Sequence, residues 1–117
     1  MIRGDVTPSP TREATDIPLE RLVHHIVEVM NPLEIWLFGS RTEGRARPTS
    51  DYDLLVVMPD GTPELDLDPV RAWRLGWEVS VTADIIPCTR SEFDEEKDEL
   101  DSLPRAATLR GRKIYER

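Results

Sequence analysis

The residues whose types and spacing could perform chemistry lie within one stretch, residues 35–57. A short apolar segment ends at Gly39-Ser40, ten residues follow, and Asp51 and Asp53 then open a second apolar segment. Gly39 permits a sharp backbone turn and leaves room for a ligand. Ser40 can donate a hydrogen bond to a phosphate oxygen beside free backbone N–H groups of the turn. The pattern therefore predicts a turn that binds a phosphorylated ligand.

The acidic residues are candidate metal ligands. Asp51 and Asp53 are two residues apart, so on an extended chain both side chains point the same way. Two carboxylates held together repel each other unless a cation lies between them, and Mg²⁺ is a hard cation usually shared with phosphates. Asp84 is a third acid in an otherwise apolar strand, where an unpartnered charge is costly. We expect the three to converge on Mg²⁺, with Asp84 binding a second metal ion or accepting a proton from an attacking hydroxyl.

The surrounding sequence predicts the elements that position these residues. In chain order they are a helix capped by Asp16 that stops at Asn31-Pro32, strands at 34–38 and 51–58, a helix at about 69–77, a strand at 79–87, an acidic helix capped by Ser91, and a last segment, 106–115. Trp73 and Trp77 share one face of the second helix, where we expect them to contact either the core or a partner. The order predicts an α/β fold with a small mixed β-sheet flanked by helices. We expect residues 1–15 to form a flexible arm and residues 16–117 to form one domain.

Composition and charge exclude several classes of protein. The chain has 23 Asp+Glu against 15 Lys+Arg, a net charge of −8, which argues against nucleic acid as a direct substrate. No apolar run approaches the ~20 residues that a membrane-spanning helix needs. Residues 1–15 lack the apolar stretch of a signal peptide, so we expect a cytoplasmic protein without membrane contact. Residues 40–48 carry three Arg and one Glu, which suits a small anion such as a triphosphate.

The motif resembles that of a known family. Gly39-Ser40, ten residues and Asp51-Tyr52-Asp53 resemble the GSx10DxD signature of the nucleotidyltransferase superfamily to which DNA polymerase beta belongs. The apolar flanks, the later Asp84 and the closing RGRKIYER resemble its minimal nucleotidyltransferase branch. The resemblance implies a polymerase beta-like fold and an enzyme that transfers AMP from ATP to a hydroxyl and releases pyrophosphate.

The resemblance also implies roles for individual residues. Gly39 and Ser40 would bind the triphosphate, Asp51 and Asp53 would bind magnesium, and Asp84 would be the third catalytic acid. Arg41, beside Ser40, is a further candidate for phosphate binding, ahead of Arg45 and Arg47. Tyr52 departs from the family pattern, in which this position is more usually small or aliphatic, and we expect its side chain to point away from the metal.

The resemblance implies a protein partner as well. Many minimal members are antitoxins encoded beside a HEPN-domain RNase toxin, and they attach AMP to a tyrosine of that toxin. The sequence leaves two alternatives open, namely a non-enzymatic antitoxin that neutralises its toxin by binding, and an adenylyltransferase that acts on a small molecule such as an antibiotic.

Overall fold

The computed structural model describes residues 16–39 and 52–117. This part of the chain forms helices, strands and one short 3-10 helix. In chain order they are α1 Ile17–Met30, β1 Glu34–Phe38, β2 Tyr52–Met58, the 3-10 helix Glu64–Leu67, α2 Pro69–Glu78, β3 Ala83–Thr89, α3 Arg90–Glu96, α4 Leu103–Arg110 and β4 Arg112–Glu116. Among these described residues, no helix has the length and apolar character needed to cross a membrane. The predicted arm, residues 1–15, lies outside the described residues.

The four strands form one sheet in the order β3-β2-β1-β4. β1 runs antiparallel to both β2 and β4, whereas β2 and β3 run parallel. A parallel pair needs a crossover connection, and α2 provides it. The predicted fold class, a small mixed sheet flanked by helices, is confirmed.

Apolar side chains cover both faces of the sheet. The α1 face carries α1 and α2, and its buried core includes Leu22, Ile26, Leu54, Val56 and Ile85. The α3 face carries α3 and α4, and its buried core includes Leu55, Val57, Phe93 and Ala107. Because β2 is a central strand with helices on both sides, its sequence is a continuous apolar run instead of an alternating one.

The ends of α1 agree with the prediction. The carboxylate of Asp16 accepts a hydrogen bond from the Leu19 N–H at 3.2 Å, and Pro18 lies in the first turn, where its missing N–H costs little. At the other end, Asn31 adopts a left-handed conformation with φ of 53° and donates its N–H to the Val27 carbonyl.

The start of β3 differs from the prediction. This strand begins at Ala83 and not at residue 79. The N–H groups of Val79 and Val81 both bond back to the carbonyl of Gly76, and Ser80 between them has a left-handed φ of 61°. The segment therefore closes the end of α2, and it cannot extend as a strand.

The cap of α3 also differs from the prediction. Thr89 takes the place expected for Ser91, because the Thr89 hydroxyl accepts the Glu92 N–H at 3.1 Å while the Glu92 carboxylate accepts the Thr89 N–H at 2.9 Å. Ser91 instead donates both its N–H and its hydroxyl to the Asp60 carboxylate, at 2.9 and 2.6 Å.

The C-terminal segment contains a strand that the sequence analysis did not predict. α4 begins at Leu103, with Ser102 as its N-cap, and ends at Arg110. β4 follows directly and pairs antiparallel with β1, placing Arg112 opposite Leu37.

The tryptophans of α2 do not enter the core. Ala72, Leu75 and Gly76 face the sheet, whereas Trp73 and Trp77 are 49% and 71% exposed. A Cβ atom on Gly76 would overlap the Val81 carbonyl, so the helix approaches the following segment too closely for a bulky side chain. Trp73 and Trp77 were expected to contact either the core or a partner, and the first of these expectations is wrong.

Candidate functional site

Asp53 and Asp84 lie opposite each other on neighbouring strands. The parallel register pairs them as the second residues of β2 and β3. Because paired residues of adjacent strands point to the same face, and the strands are ~4.8 Å apart, both side chains leave neighbouring backbones on the α3 face. Asp53 is half-buried and Asp84 is exposed, at the end of the sheet where β2 and β3 begin.

Gly39 lies directly against Asp53. It follows the last residue of β1, Phe38, which is paired with Asp53 across the sheet. Its φ of 84° is in the left-handed region that favours glycine. A Cβ atom at this position would overlap Oδ2 of Asp53 and stand 3.0 Å from its Cγ. Only glycine fits at this position, and bare backbone therefore lies directly against the Asp53 carboxylate.

The structure thus brings together three of the residues singled out from the sequence, namely Gly39, Asp53 and Asp84. The others lie outside the described residues, and their place in the site stays a prediction. They are Ser40, Arg41, Asp51, Arg45 and Arg47.

The donor set suits magnesium. Two carboxylates in register repel each other, and a hard divalent cation that prefers oxygen ligands relieves that repulsion. Within residues 16–39 and 52–117, no group of three or more His, Cys, Asp or Glu side chains is placed to hold a metal ion. The predicted third ligand, Asp51, precedes β2 immediately and is not among these residues.

Tyr52 points away from Asp53, as expected. It is 6% exposed and belongs to the core of the α1 face. Its hydroxyl donates to Oδ1 of Asp16 at 2.7 Å. The sequence analysis identified Tyr52 only as a departure from the family pattern and did not predict this contact. A tyrosine at the start of a predicted buried strand could have indicated it, because a buried phenol hydroxyl needs a hydrogen-bond partner.

A groove elsewhere on the molecule does not include the candidate residues. It has a volume of about 370 Å³ between α1 and α2 and is lined by residues that include Val29, Met58 and Leu75. Met58 is the last residue of β2, whereas Asp53 is its second, so the two ends are roughly 17 Å apart along the strand. The chemistry predicted from the sequence therefore belongs to the opposite end of β2 from this groove.

Comparison with known proteins identifies the family. A sequence model described as the nucleotidyltransferase domain matches residues 20–109. No curated protein matches the sequence significantly. Among solved structures, the chain is similar to a crystal structure of a toxin-antitoxin with AMP-PNP, with 15% identity and a TM-score of 0.52 over 84% of this chain and 73% of that one. It is also similar to a candidate nucleotidyltransferase from Sulfolobus solfataricus, with 16% identity and a TM-score of 0.49 over 95% and 94% of the two chains.

The matched region runs from α1 to α4 and contains Gly39, Asp53 and Asp84. At 15% identity, the similarity to the toxin-antitoxin structure shows a shared fold. The family model covers well over half of the sequence, and the superfamily expected from the GSx10DxD pattern is confirmed. The chain belongs to the nucleotidyltransferase domain family.

Proposed function

We propose that the protein is a magnesium-dependent nucleotidyltransferase that moves AMP from ATP to a hydroxyl group. The observation that carries the proposal is the register of Asp53 with Asp84, beside the bare backbone of Gly39. A nucleotidyltransferase needs acids at the point where the triphosphate binds, and this is the end of the sheet that provides them. The toxin-antitoxin structure of similar fold was solved with AMP-PNP, an analogue of ATP, which supports ATP as the substrate.

Each residue of the site has a proposed role. Gly39, Ser40 and Arg41 hold the triphosphate, and Asp51 and Asp53 hold Mg²⁺. Magnesium, when bound, supplies positive charge that stabilises the phosphate oxygens. Asp84 accepts the proton of the acceptor hydroxyl while the oxygen of that hydroxyl forms a bond to the α-phosphorus. The bond from that phosphorus to the bridging oxygen breaks, and pyrophosphate leaves.

The proposed acceptor is a tyrosine of a partner protein, a HEPN-domain RNase toxin, which makes this chain an antitoxin that acts in the cytoplasm. Two observations support a protein acceptor. The groove described above lies at the far end of β2 from the acids, too far away to hold a small acceptor against them. The outer face of α2 also exposes Val70, Trp73 and Trp77, and tryptophans are enriched at protein interfaces.

A label-transfer assay tests the proposal. The protein is incubated with Mg²⁺ and ATP labelled at either the α- or the γ-phosphate, with and without the product of the neighbouring reading frame. We expect label on that product from α-labelled ATP alone. Asp53→Asn should reduce transfer at least ~100-fold. Asp98→Asn is the matched control, because it removes an exposed carboxylate from the acidic segment 92–101. Transfer that survives Asp53→Asn would contradict the proposed site.

The exposed face of α2 also favours a second candidate function, an antitoxin that acts by binding alone. The two candidates separate on one pair of variants. If the partner is still silenced by Asp53→Asn but not by the double variant Trp73→Ala, Trp77→Ala, binding is sufficient and catalysis is not the function. Label on a small molecule such as an aminoglycoside, and none on protein, would instead identify a small-molecule adenylyltransferase.

A further inference from the structure

Tyr52 carries a hydroxyl that the packing of the core does not need. The residue is 6% exposed, and its ring packs within the core of the α1 face. A phenylalanine would fill the same space without a polar group to satisfy, since a buried hydroxyl without a partner is costly. The hydroxyl has a partner, Oδ1 of Asp16, at 2.7 Å.

That hydrogen bond connects two ends of secondary structure. Oδ1 of Asp16 also accepts the Leu19 N–H at 3.2 Å and so caps α1. The backbone N–H of Tyr52 donates to the Thr82 carbonyl at 3.3 Å, two residues before Asp84. The first residue of β2 is therefore attached to the start of α1 through its side chain and to the start of β3 through its backbone.

The start of β2 is where such an attachment is needed. Strand ends are the parts of a sheet that open most easily. At this end the register sets two acids, Asp53 and Asp84, side by side on neighbouring strands, and like charges so placed favour separation of the strands unless a cation lies between them. The attachment is on the α1 face, so it can resist this separation without occupying the space on the α3 face where a cation and phosphates would bind.

We infer that Tyr52 is a positioning residue, whose hydrogen bond to Asp16 holds Asp53 in register with Asp84 for magnesium and nucleotide. The inference rests on the proposed function and identifies a residue outside the proposed ligand set. It accounts for a tyrosine at the middle position of Asp51-Tyr52-Asp53, where the side chain itself contacts neither metal nor substrate.

Calorimetry of MgATP binding tests the inference with variants of each partner of the hydrogen bond. Tyr52→Phe keeps the ring and removes the hydroxyl. Asp16→Ser keeps an N-cap for α1 but is too short to reach Tyr52. Each variant should bind MgATP about 3- to 10-fold more weakly, as expected for the loss of one hydrogen bond. The double variant should bind no more weakly than either single variant, because both remove the same interaction. Asp16→Asn keeps an oxygen that can accept the Tyr52 hydroxyl, so this variant should retain most of the wild-type affinity for MgATP.

A matched control separates positioning from general stability. Ile26→Val removes one methyl group from the same core, where Ile26 is fully buried, and should lower stability without changing MgATP affinity. Hydrogen exchange in the ligand-free protein gives a second readout. Tyr52→Phe should speed exchange at the amides of residues 52–54 and 83–85, and Ile26→Val should not do so selectively.

The outcomes distinguish this inference from the function on which it rests. If wild type and Asp53→Asn bind MgATP equally well, or neither binds, the proposed function fails and the inference falls with it. If Asp53→Asn loses affinity but Tyr52→Phe matches wild type, the inference alone is overturned. Additive losses in the double variant, or an equal loss in Ile26→Val, would also overturn it.

Discussion

Two clusters of charged side chains lie on the α3 face, at opposite ends of the sheet. At one end, Glu34 of β1 is opposite Val57, and at the other, Asp53 of β2 is opposite Asp84. The four residues from Asp53 to Val57 separate the two clusters by roughly 13 Å. Both clusters place a carboxylate at the edge of an apolar core, but the side chains beside that carboxylate differ.

Glu34 has its compensation within the protein. Its carboxylate accepts from the Trp36 indole N–H at 2.9 Å and from Arg90 at 3.1 Å, and Nζ of Lys113 is 3.7 Å away. Burial raises the pKa of Glu34, but the hydrogen bonds from Trp36 and Arg90, with the charges of Arg90 and Lys113, outweigh it, so the net pKa is lowered. Asp53, by contrast, is opposite a second acid, Asp84. The first arrangement is typical of a structural ion pair, whereas two acids side by side on neighbouring strands favour a cation between them.

The largest expected effect comes from one substitution at each end of the sheet, because one should reduce the transfer rate and the other should reduce stability. Asp84→Asn should reduce AMP transfer at least ~100-fold and leave stability unchanged or slightly higher, because it removes repulsion with Asp53. Glu34→Gln should leave transfer unchanged and lower the free energy of unfolding by about 1–2 kcal/mol, because it weakens the bonds to Arg90 and Lys113. Transfer rates and urea denaturation provide the two measurements. The comparison fails if the two variants affect rate and stability alike.

The next effect concerns the backbone beside Asp53. Gly39→Ala combines a left-handed φ of 84° with a Cβ that overlaps Oδ2 of Asp53, whereas Gly61→Ala has a similar φ of 90° and no atom within 4 Å of the new Cβ. Gly61→Ala should therefore cost about 1 kcal/mol of conformational strain alone. Gly39→Ala should cost about 2–3 kcal/mol in stability and reduce transfer at least ~10-fold, because Asp53 must move.

The pair of glycine variants is measured by denaturation and by transfer rate. Equal losses in stability for the two variants, with full activity in Gly39→Ala, would show that the space beside Asp53 is unimportant. The difference between the two, and not either loss alone, reports on the site.

Local signals in the sequence were sufficient for α1 and β2, but not for the start of the strand that carries Asp84. The caps of α1 predicted the helix that Asp16 begins, and the unbroken apolar run predicted β2, on which Tyr52 and Asp53 lie. The sequence also predicted that Asp84 would approach Asp53 across a small sheet, because strands this short pack side by side. The catalytic role of these acids stays a prediction.

The parts that the sequence did not predict depend on contacts distant along the chain. β4 has exposed residues at Arg112 and Lys113 followed by half-buried Ile114 and Tyr115, so it lacks the alternation of a half-buried strand. Its pairing with β1 supplies the order that its own pattern does not. The outward direction of Trp73 could not be predicted either, because it follows from the close approach of Gly76 to the segment after α2.

A smaller effect is expected from pH. Because the folded protein holds the pKa of Glu34 below its ordinary value of 4.5, the unfolded chain binds the proton more readily. The stability that Glu34 contributes is therefore complete above about 4.5 and is lost as pH falls through the lower, folded pKa. Denaturation between pH 6 and pH 3 should show a smaller acid-induced loss of stability in Glu34→Gln than in wild type. An identical pH dependence in the two proteins would contradict the compensation described for Glu34.

The smallest effect is expected within the Glu34 cluster itself, and it tests which cation matters more. Lys113 is 3.7 Å from the Glu34 carboxylate, its side chain is 33% exposed, and it lies over the Trp36 ring at 5.6 Å. Arg90 makes a hydrogen bond to Glu34 at 3.1 Å and another to Asp94, and it lies over the ring of Phe93.

Lys113→Met keeps the apolar stem and should lower the free energy of unfolding by only about 0.5 kcal/mol, a loss that 1 M NaCl should largely abolish through screening. Arg90→Met should cost more and keep most of its effect in salt, because it also removes hydrogen bonds. If Lys113→Met lowered stability more than Arg90→Met, Glu34 would be compensated by nearby positive charge and not by a specific hydrogen-bonded ion pair. The two ends of the sheet would then differ in net charge alone.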